Sequence, residues 1–230
     1  MNYPGPSDYI DIHNHGSKTS PGIFTVETLM AHEGRDPVDL EGITFTIGIH
    51  PWYLDESNKS LQMERVRELA GNRDIAAIGE AGFDRIRGAS SALQKEIFED
   101  QVIISESYRK PLVIHCVRAW DELLTEHKRL RPKMPWLVHG FRGKPELAGQ
   151  LISKGMYISF WFDFVMRPEA ALLLRSVPVD RIFLETDGAD IDIRDIYKKV
   201  CSDLDIPEEK LKAIIYFNFH GFFRLNLSVT

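Results

Sequence analysis

Short apolar runs alternate with longer helical patterns along this 230-residue chain, and no other feature limits its fold as strongly. The runs at 8–13, 43–49, 75–79, 111–114, 136–138, 156–160 and 181–184 read as strands. Helical periodicity falls at 60–70, 90–109, 120–129, 145–154, 170–174, 192–202 and 207–219. Residues 23–30 fit two states: β-branched and aromatic content favours a strand, while Val26 to Met30 suits a helix start. Residues 31–42 carry Gly34 and Pro37 and leave no room for a full crossover helix. If 23–30 is a strand, the count is eight. Strands alternating with helices imply a parallel sheet with right-handed crossovers, and eight such strands close into a barrel. The expected fold is therefore α/β, a TIM-type (β/α)8 barrel somewhat reduced near its first βα unit, forming a single barrel domain over 1–230.

Local signals set the element ends. Gly71 stops the first helix, Pro168 sits at a first helical turn, and Pro207 starts the last helix. Ser91 with Gln94 reads as a capping box, and Leu93, Ile97, Ile104 and Tyr108 as one buried stripe. Residues 16–22 carry loop chemistry.

Polar residues then fall in a regular place. His13, His15, His50, Glu80, His115, His139 and Asp187 all lie at C-terminal ends of predicted strands, the catalytic face of an α/β barrel. His13 and His15 are two apart, so alternation along a strand points both one way. Imidazole with carboxylate suits one or two divalent ions, and favours Zn, Mn, Fe, Co or Ni over an all-oxygen Mg or Ca cage. Glu80, central in chain order, is the expected bridge between two ions. Asp187 could hold a metal and also orient or deprotonate a water. His32, His127 and His220 read as structural or surface residues, and Cys116 as a small core residue rather than a soft ligand.

Composition narrows the classes. No run approaches 18 apolar residues, so no membrane span is expected. The first residues lack a basic region followed by an apolar core, and two cysteines give no disulfide framework, so a cytoplasmic location is the expectation. Net charge is −6, unlike a protein that grips nucleic acid over a broad basic surface. A nucleic-acid substrate would be held locally, at metal and a few arginines.

The motifs Asp11-Ile-His13-Asn-His15, Gly48-Ile-His50-Pro51, Gly79-Glu80-Ala-Gly82-Phe-Asp84, Ile114-His115, His139-Gly-Phe141-Arg-Gly143 and Leu184-Glu185-Thr186-Asp187 occur in this order. In this order and spacing the chain resembles the TatD-type metal-dependent deoxyribonucleases of the amidohydrolase superfamily, from Asp11 to about Phe223. The resemblance implies a two-metal centre (Zn, Mn, Mg, Ni or Co) and hydrolysis of phosphodiester bonds in DNA. It implies that His13, His15, Glu80 and Asp187 hold one ion, and that Glu80, His115 and His139 hold the other. His50 and Asp84 would line the substrate side, with Glu80 and Asp187 catalytic. The departures fall at the substrate rim: His115-Cys-Val-Arg118 is one residue longer than the family's His-x-Arg, and Gly188-Ala-Asp190 follows the last motif. Candidate phosphate contacts are Arg85, Arg118, Arg142 and Lys144; Trp52, Tyr53, Trp161 and Phe162 could stack bases. Two alternatives share this fold. One is an amidohydrolase or esterase acting on a small molecule; the other is a catalytically silent barrel that binds a partner. Retention of all six candidate ligands argues against the second.

Overall fold

The computed structural model describes residues 3–16 and 20–225. The part of the 16–22 loop at Ser17 to Thr19 lies outside them. Eight strands run in one parallel sheet in chain order: β1 Tyr9–Asn14, β2 Ile23–Met30, β3 Ile43–Gly48, β4 Ile75–Asp84, β5 Leu112–Val117, β6 Trp136–Val138, β7 Tyr157–Trp161 and β8 Ile182–Glu185. Helices follow the strands: α1 Lys59–Ala70, α2 Ser91–Tyr108, α3 Trp120–Leu130, α4 Pro145–Ser153, α5 Phe162–Val165, α6 Ala170–Ser176, α7 Ile193–Leu204 and α8 Glu208–Phe222. This is the expected (β/α)8, TIM-type fold. Residues 23–30 are a strand, followed only by a short 3-10 turn at Ala31–Glu33, so the first crossovers are indeed reduced. Every residue of β3 and β4 is buried, the signature of parallel strands covered on both faces.

Three details differ from the sequence reading. Strand β4 runs on to Asp84, placing Glu80 inside it rather than at its end. Gly-Glu-Ala-Gly reads as a turn, yet here the glycines serve close strand approach. A Cβ on Gly79 would lie 2.3 Å from the Val113 carbonyl oxygen, and one on Gly82 would lie 2.0 Å from that of His115. The α2 cap is Ser90, whose hydroxyl accepts from Leu93 N, because Gln94 is turned toward the backbone of β4. Tyr108, placed on the buried stripe, is 45% exposed at the last turn of α2.

The chain divides into two compact units. One comprises Thr28–Asp39 and Thr44–Val138. Its core packs Phe83 at a tilt against Phe98, and Phe98 edge-on against Trp136, with ring centroids 4.6 and 5.4 Å apart. His127 packs edge-on against Trp136, the structural role expected of it. The other comprises the described residues up to Glu27, Leu40–Ile43, and the described residues from His139 onward. There Phe24 meets Phe219, and Tyr157, Phe183 and Phe222 form an aromatic cluster. The buried Tyr197 hydroxyl accepts from Ile10 N at 3.1 Å and so ties α7 to β1. Among the described residues no helix is long and apolar enough to cross a membrane.

Candidate metal centres

In the first unit, His50, just past β3, comes together with Glu80 and His115, from within β4 and β5, and all three are buried. His50 Nε2 lies 3.3 Å, and His115 Nδ1 3.0 Å, from Glu80 Oε1. Helix α2 holds the strands that carry them. Gln101 accepts from Ile49 N at 2.8 Å, beside His50. One glutamine earlier on the same helix, Gln94 accepts from Asp84 N at 2.8 Å and donates to Asp84 O. Sequence periodicity marked these positions only as helical. Their spacing of seven, two helical turns, puts both glutamines on one face of α2, but sequence does not show what that face meets.

Asp84 sits behind His115. Its Oδ1 accepts from Ile86 N and Arg87 N, and its Oδ2 accepts from Trp52 Nε1 at 2.6 Å and lies 3.2 Å from His115 Nε2. Burial pushes its pKa up, but the hydrogen bonds from Trp52, Ile86 N, His115 and Arg87 N more than offset this and hold the carboxyl below its usual range. With its oxygens so engaged, Asp84 orients His115 and Trp52, a carboxylate–imidazole arrangement that fixes ring direction. His50 is fixed differently. Its Nδ1 accepts from Trp52 N at 3.0 Å, so the neutral ring carries its proton on Nε2 and donates toward Glu80. In that tautomer His50 is a hydrogen-bond donor in the site rather than a nitrogen ligand.

In the second unit, His13, His15 and Asp187 converge from β1 and the turn after β8. Asp187 Oδ1 lies 3.6 Å from His13 Nε2 and 3.5 Å from His15 Nε2. Asp187 takes the left-handed conformation, φ 52°, and its N–H donates to His13 O at 3.1 Å. The His139 ring stacks on His13 with centroids 4.2 Å apart. Its Nδ1 lies 3.4 Å from Glu185, a fully buried carboxylate that also accepts from Gly140 N at 2.7 Å and Ser159 Oγ at 2.5 Å. His139, Glu185 and Asp187 form a second possible ligand group in this unit.

Asp11 completes the arrangement from below. It accepts from Thr186 N, Thr186 Oγ1 and Asn14 Nδ2 at 2.6–3.0 Å. Burial raises its pKa to about 7, against the pull of Thr186 and Asn14, with Glu185 adding to the rise. Glu185 and Asp11 were not among the expected site residues. Strand alternation contained the signal, because Asp11, His13 and His15 are spaced by two, as are Glu185 and Asp187.

In each group of three the ligand atoms lie within 4.8 Å of one another. Buried imidazoles set against carboxylates at such separations fit a divalent ion of the Zn, Mn, Co or Ni type. The expected phosphate contacts divide. Arg85 is paired with Asp121 at 2.9 Å. Arg118 is exposed, in the left-handed conformation, and Arg142 is exposed over the Trp161 ring at 5.0 Å. Cys116 is buried, and burial pushes its thiol up, so it is the core residue expected.

Known proteins resemble this arrangement in sequence and fold. A 3′-5′ ssDNA/RNA exonuclease TatD of Cronobacter turicensis is 32% identical over 171 residues, which is 72% of this chain. The chain spans 65% of that relative's length, just under two thirds. The crystal structure of YJJV, a TatD homolog from Escherichia coli, matches with a TM-score of 0.78 at 16% identity, over 96% of this chain and all of that one. A hydrolase TatD family protein from Entamoeba histolytica matches with a TM-score of 0.78 at 18% identity, over 94% of this chain and 98% of its own. At these identities the two structures speak for the fold. The family match starts after the Asp11–His15 motif, which therefore stands on the geometry of β1 alone. Since residues 38–224, most of the chain, match the family described as TatD related DNase, the chain belongs to that family.

Proposed function

We propose that this chain is a metal-dependent phosphodiesterase that hydrolyses DNA, as a deoxyribonuclease or exonuclease, with two divalent ions. The observation that carries the reading is the pairing of imidazoles with carboxylates on and just after the parallel strands in each unit. In this reading His13, His15, His139 and Asp187 supply ligands in one unit, and Glu80 and His115 in the other. A divalent ion supplies an acidified water and neutralises charge on the phosphoryl oxygens. Asp187 orients that water and takes its proton. Glu80 holds His115 and receives the His50 Nε2 proton in a hydrogen bond. His50 can offer the same proton to a phosphate oxygen. Arg118 and Arg142 are exposed cations available to the strand's phosphates, which supplies local grip despite the net charge of −6. The curated exonuclease relative supports nucleic acid as the substrate class.

The test is metal analysis of the purified protein, paired with hydrolysis of labelled single-stranded DNA and bis(p-nitrophenyl) phosphate. Cleavage of both, abolished by Glu80→Ala and by Asp187→Asn in folded protein, is the expected result. Full rate in either variant sinks the assignment of those two carboxylates. The net charge of −6 favours one second reading, a hydrolase of small amides or esters. Bound metal with neither phosphodiester cut, and turnover of such a substrate, decides for it.

A further inference from the structure

The second unit contains a cleft of about 300 Å³, near the lower end of the size range for small-molecule sites, that the metal groups do not use. Arg142 and Lys144, on the loop after His139, form one wall, and Arg167, between α5 and α6, forms another. Among the described residues neither Arg142 nor Lys144 has an ion-pair partner; Arg142 instead lies over Trp161. Arg167 is held in place by the Asp163 carboxylate and carbonyl. Glu169 is the one anion in the lining, so three cations face one carboxylate there. The floor is apolar. Phe164 is buried, while Leu172 is 71% exposed at the cleft. An apolar floor beside two cations that have no ion-pair partner among the described residues matches a ligand with an apolar face and an anionic group.

We propose that this cleft binds one nucleotide of a nucleic-acid strand, with its phosphate on Arg142 and Lys144 and its base on Phe164 and Leu172. This rests on the phosphodiesterase reading for the polymer, but not for the binding itself. The volume suits a mononucleotide rather than a duplex, so the cleft would set the path of a single strand on the loops that follow β6 and β7.

The test is calorimetry on the full metal-loaded chain with three probes: dAMP, deoxyadenosine and inorganic phosphate. The expected order is dAMP tightest. Arg142→Ala with Lys144→Ala should weaken both dAMP and phosphate about tenfold or more, the usual loss for charge-assisted contacts. Leu172→Ser, a neutral change at an exposed position, should weaken dAMP several-fold and leave phosphate unchanged. Deoxyadenosine binding as tightly as dAMP removes the phosphate half of the proposal, and phosphate binding as tightly as dAMP removes the base half. Unchanged dAMP affinity in both variants overturns it altogether. The two readings fail separately. If the chain cuts no DNA yet dAMP binding depends on these residues, the cleft stands and the phosphodiesterase does not. If DNA is cut with the same KM in both variants, the phosphodiesterase stands and the cleft does not.

Discussion

Replacing Gly82 by alanine tests how closely β4 and β5 approach. The added Cβ would sit 2.0 Å from the His115 carbonyl oxygen and 3.0 Å from its carbon, both backbone atoms that cannot swing aside. Relief to the 3.0 Å that real Cβ contacts respect requires β5 to retreat by 3.0 − 2.0 = 1.0 Å at the register position Gly82↔His115. A ladder hydrogen bond stretched that far contributes little, and two such losses cost about 2 kcal/mol. The φ of 150° at Gly82 adds backbone strain of about 1–3 kcal/mol for any residue with a Cβ. The sum is about 3–5 kcal/mol, a large part of the 5–15 kcal/mol that holds a typical domain together. Gly155 is the matched control. Its φ is 83°, but an added Cβ meets nothing within 4 Å, so Gly155→Ala should cost only the strain of about 1–2 kcal/mol. Equilibrium urea unfolding of both variants, with metal removed by chelator, measures the difference. Insoluble Gly82→Ala beside soluble Gly155→Ala is the same result in coarser form. A Gly82→Ala variant no less stable than Gly155→Ala refutes the steric argument.

Other outcomes follow from particular contacts. Glu185→Gln keeps the volume but removes the charge facing His139, and should lower metal affinity about 10–100-fold by calorimetry while the unfolding midpoint of metal-free protein shifts little. Metal occupancy should fall on acidification from pH 8 to 5, because protons compete with the ion for imidazole nitrogen; occupancy held flat over that range argues against histidine ligation. Burial pushes Lys110 down to about 8, against the pull of Asp74, so the fold disfavours its cation. That penalty is complete below pH 8 and disappears as pH rises toward the lysine's unfolded value near 10.4. Lys110→Met should therefore be more stable than the parent at pH 7, by about 1 kcal/mol after allowance for its partial exposure, with the gain vanishing by pH 10.5. Loss of the bond from Lys110 Nζ to Asn72 O works in the opposite direction, so a net loss at pH 7 would show that this bond dominates.

Much of this was legible in the sequence for a physical reason. Covered parallel strands must be apolar throughout, so β3, β5, β6 and β8 stand out as runs, and the polar residues that break those runs are the candidate site residues. The strand β4 was harder to read. Its glycines look like turn residues because sequence shows only the missing side chain and not the neighbouring strand that requires it to be missing. The ambiguity at 23–30 has a similar origin, since a buried strand and a short buried helix present the same composition, and the pairing of Tyr9 with Ile23 decides it. The roles of Gln94, Gln101, Asp11 and Glu185 were hidden because each works through a partner distant in the chain. The tautomer of His50 depends on a single backbone N–H two residues on, which no residue pattern records.

Cys116 follows directly after His115, yet its sulfur is buried and burial disfavours its thiolate. Oxidants and soft metals both react with the thiolate. A sulfur kept as the thiol offers neither peroxide nor Cu(I) a ready foothold beside the candidate ligands, even though it is the residue next to one of them. Oxidative damage to this protein should therefore begin elsewhere, at more open sulfur such as Cys201 or the exposed Met166, and the nitrogen and oxygen ligands should survive air that would disable a site built around an open cysteine.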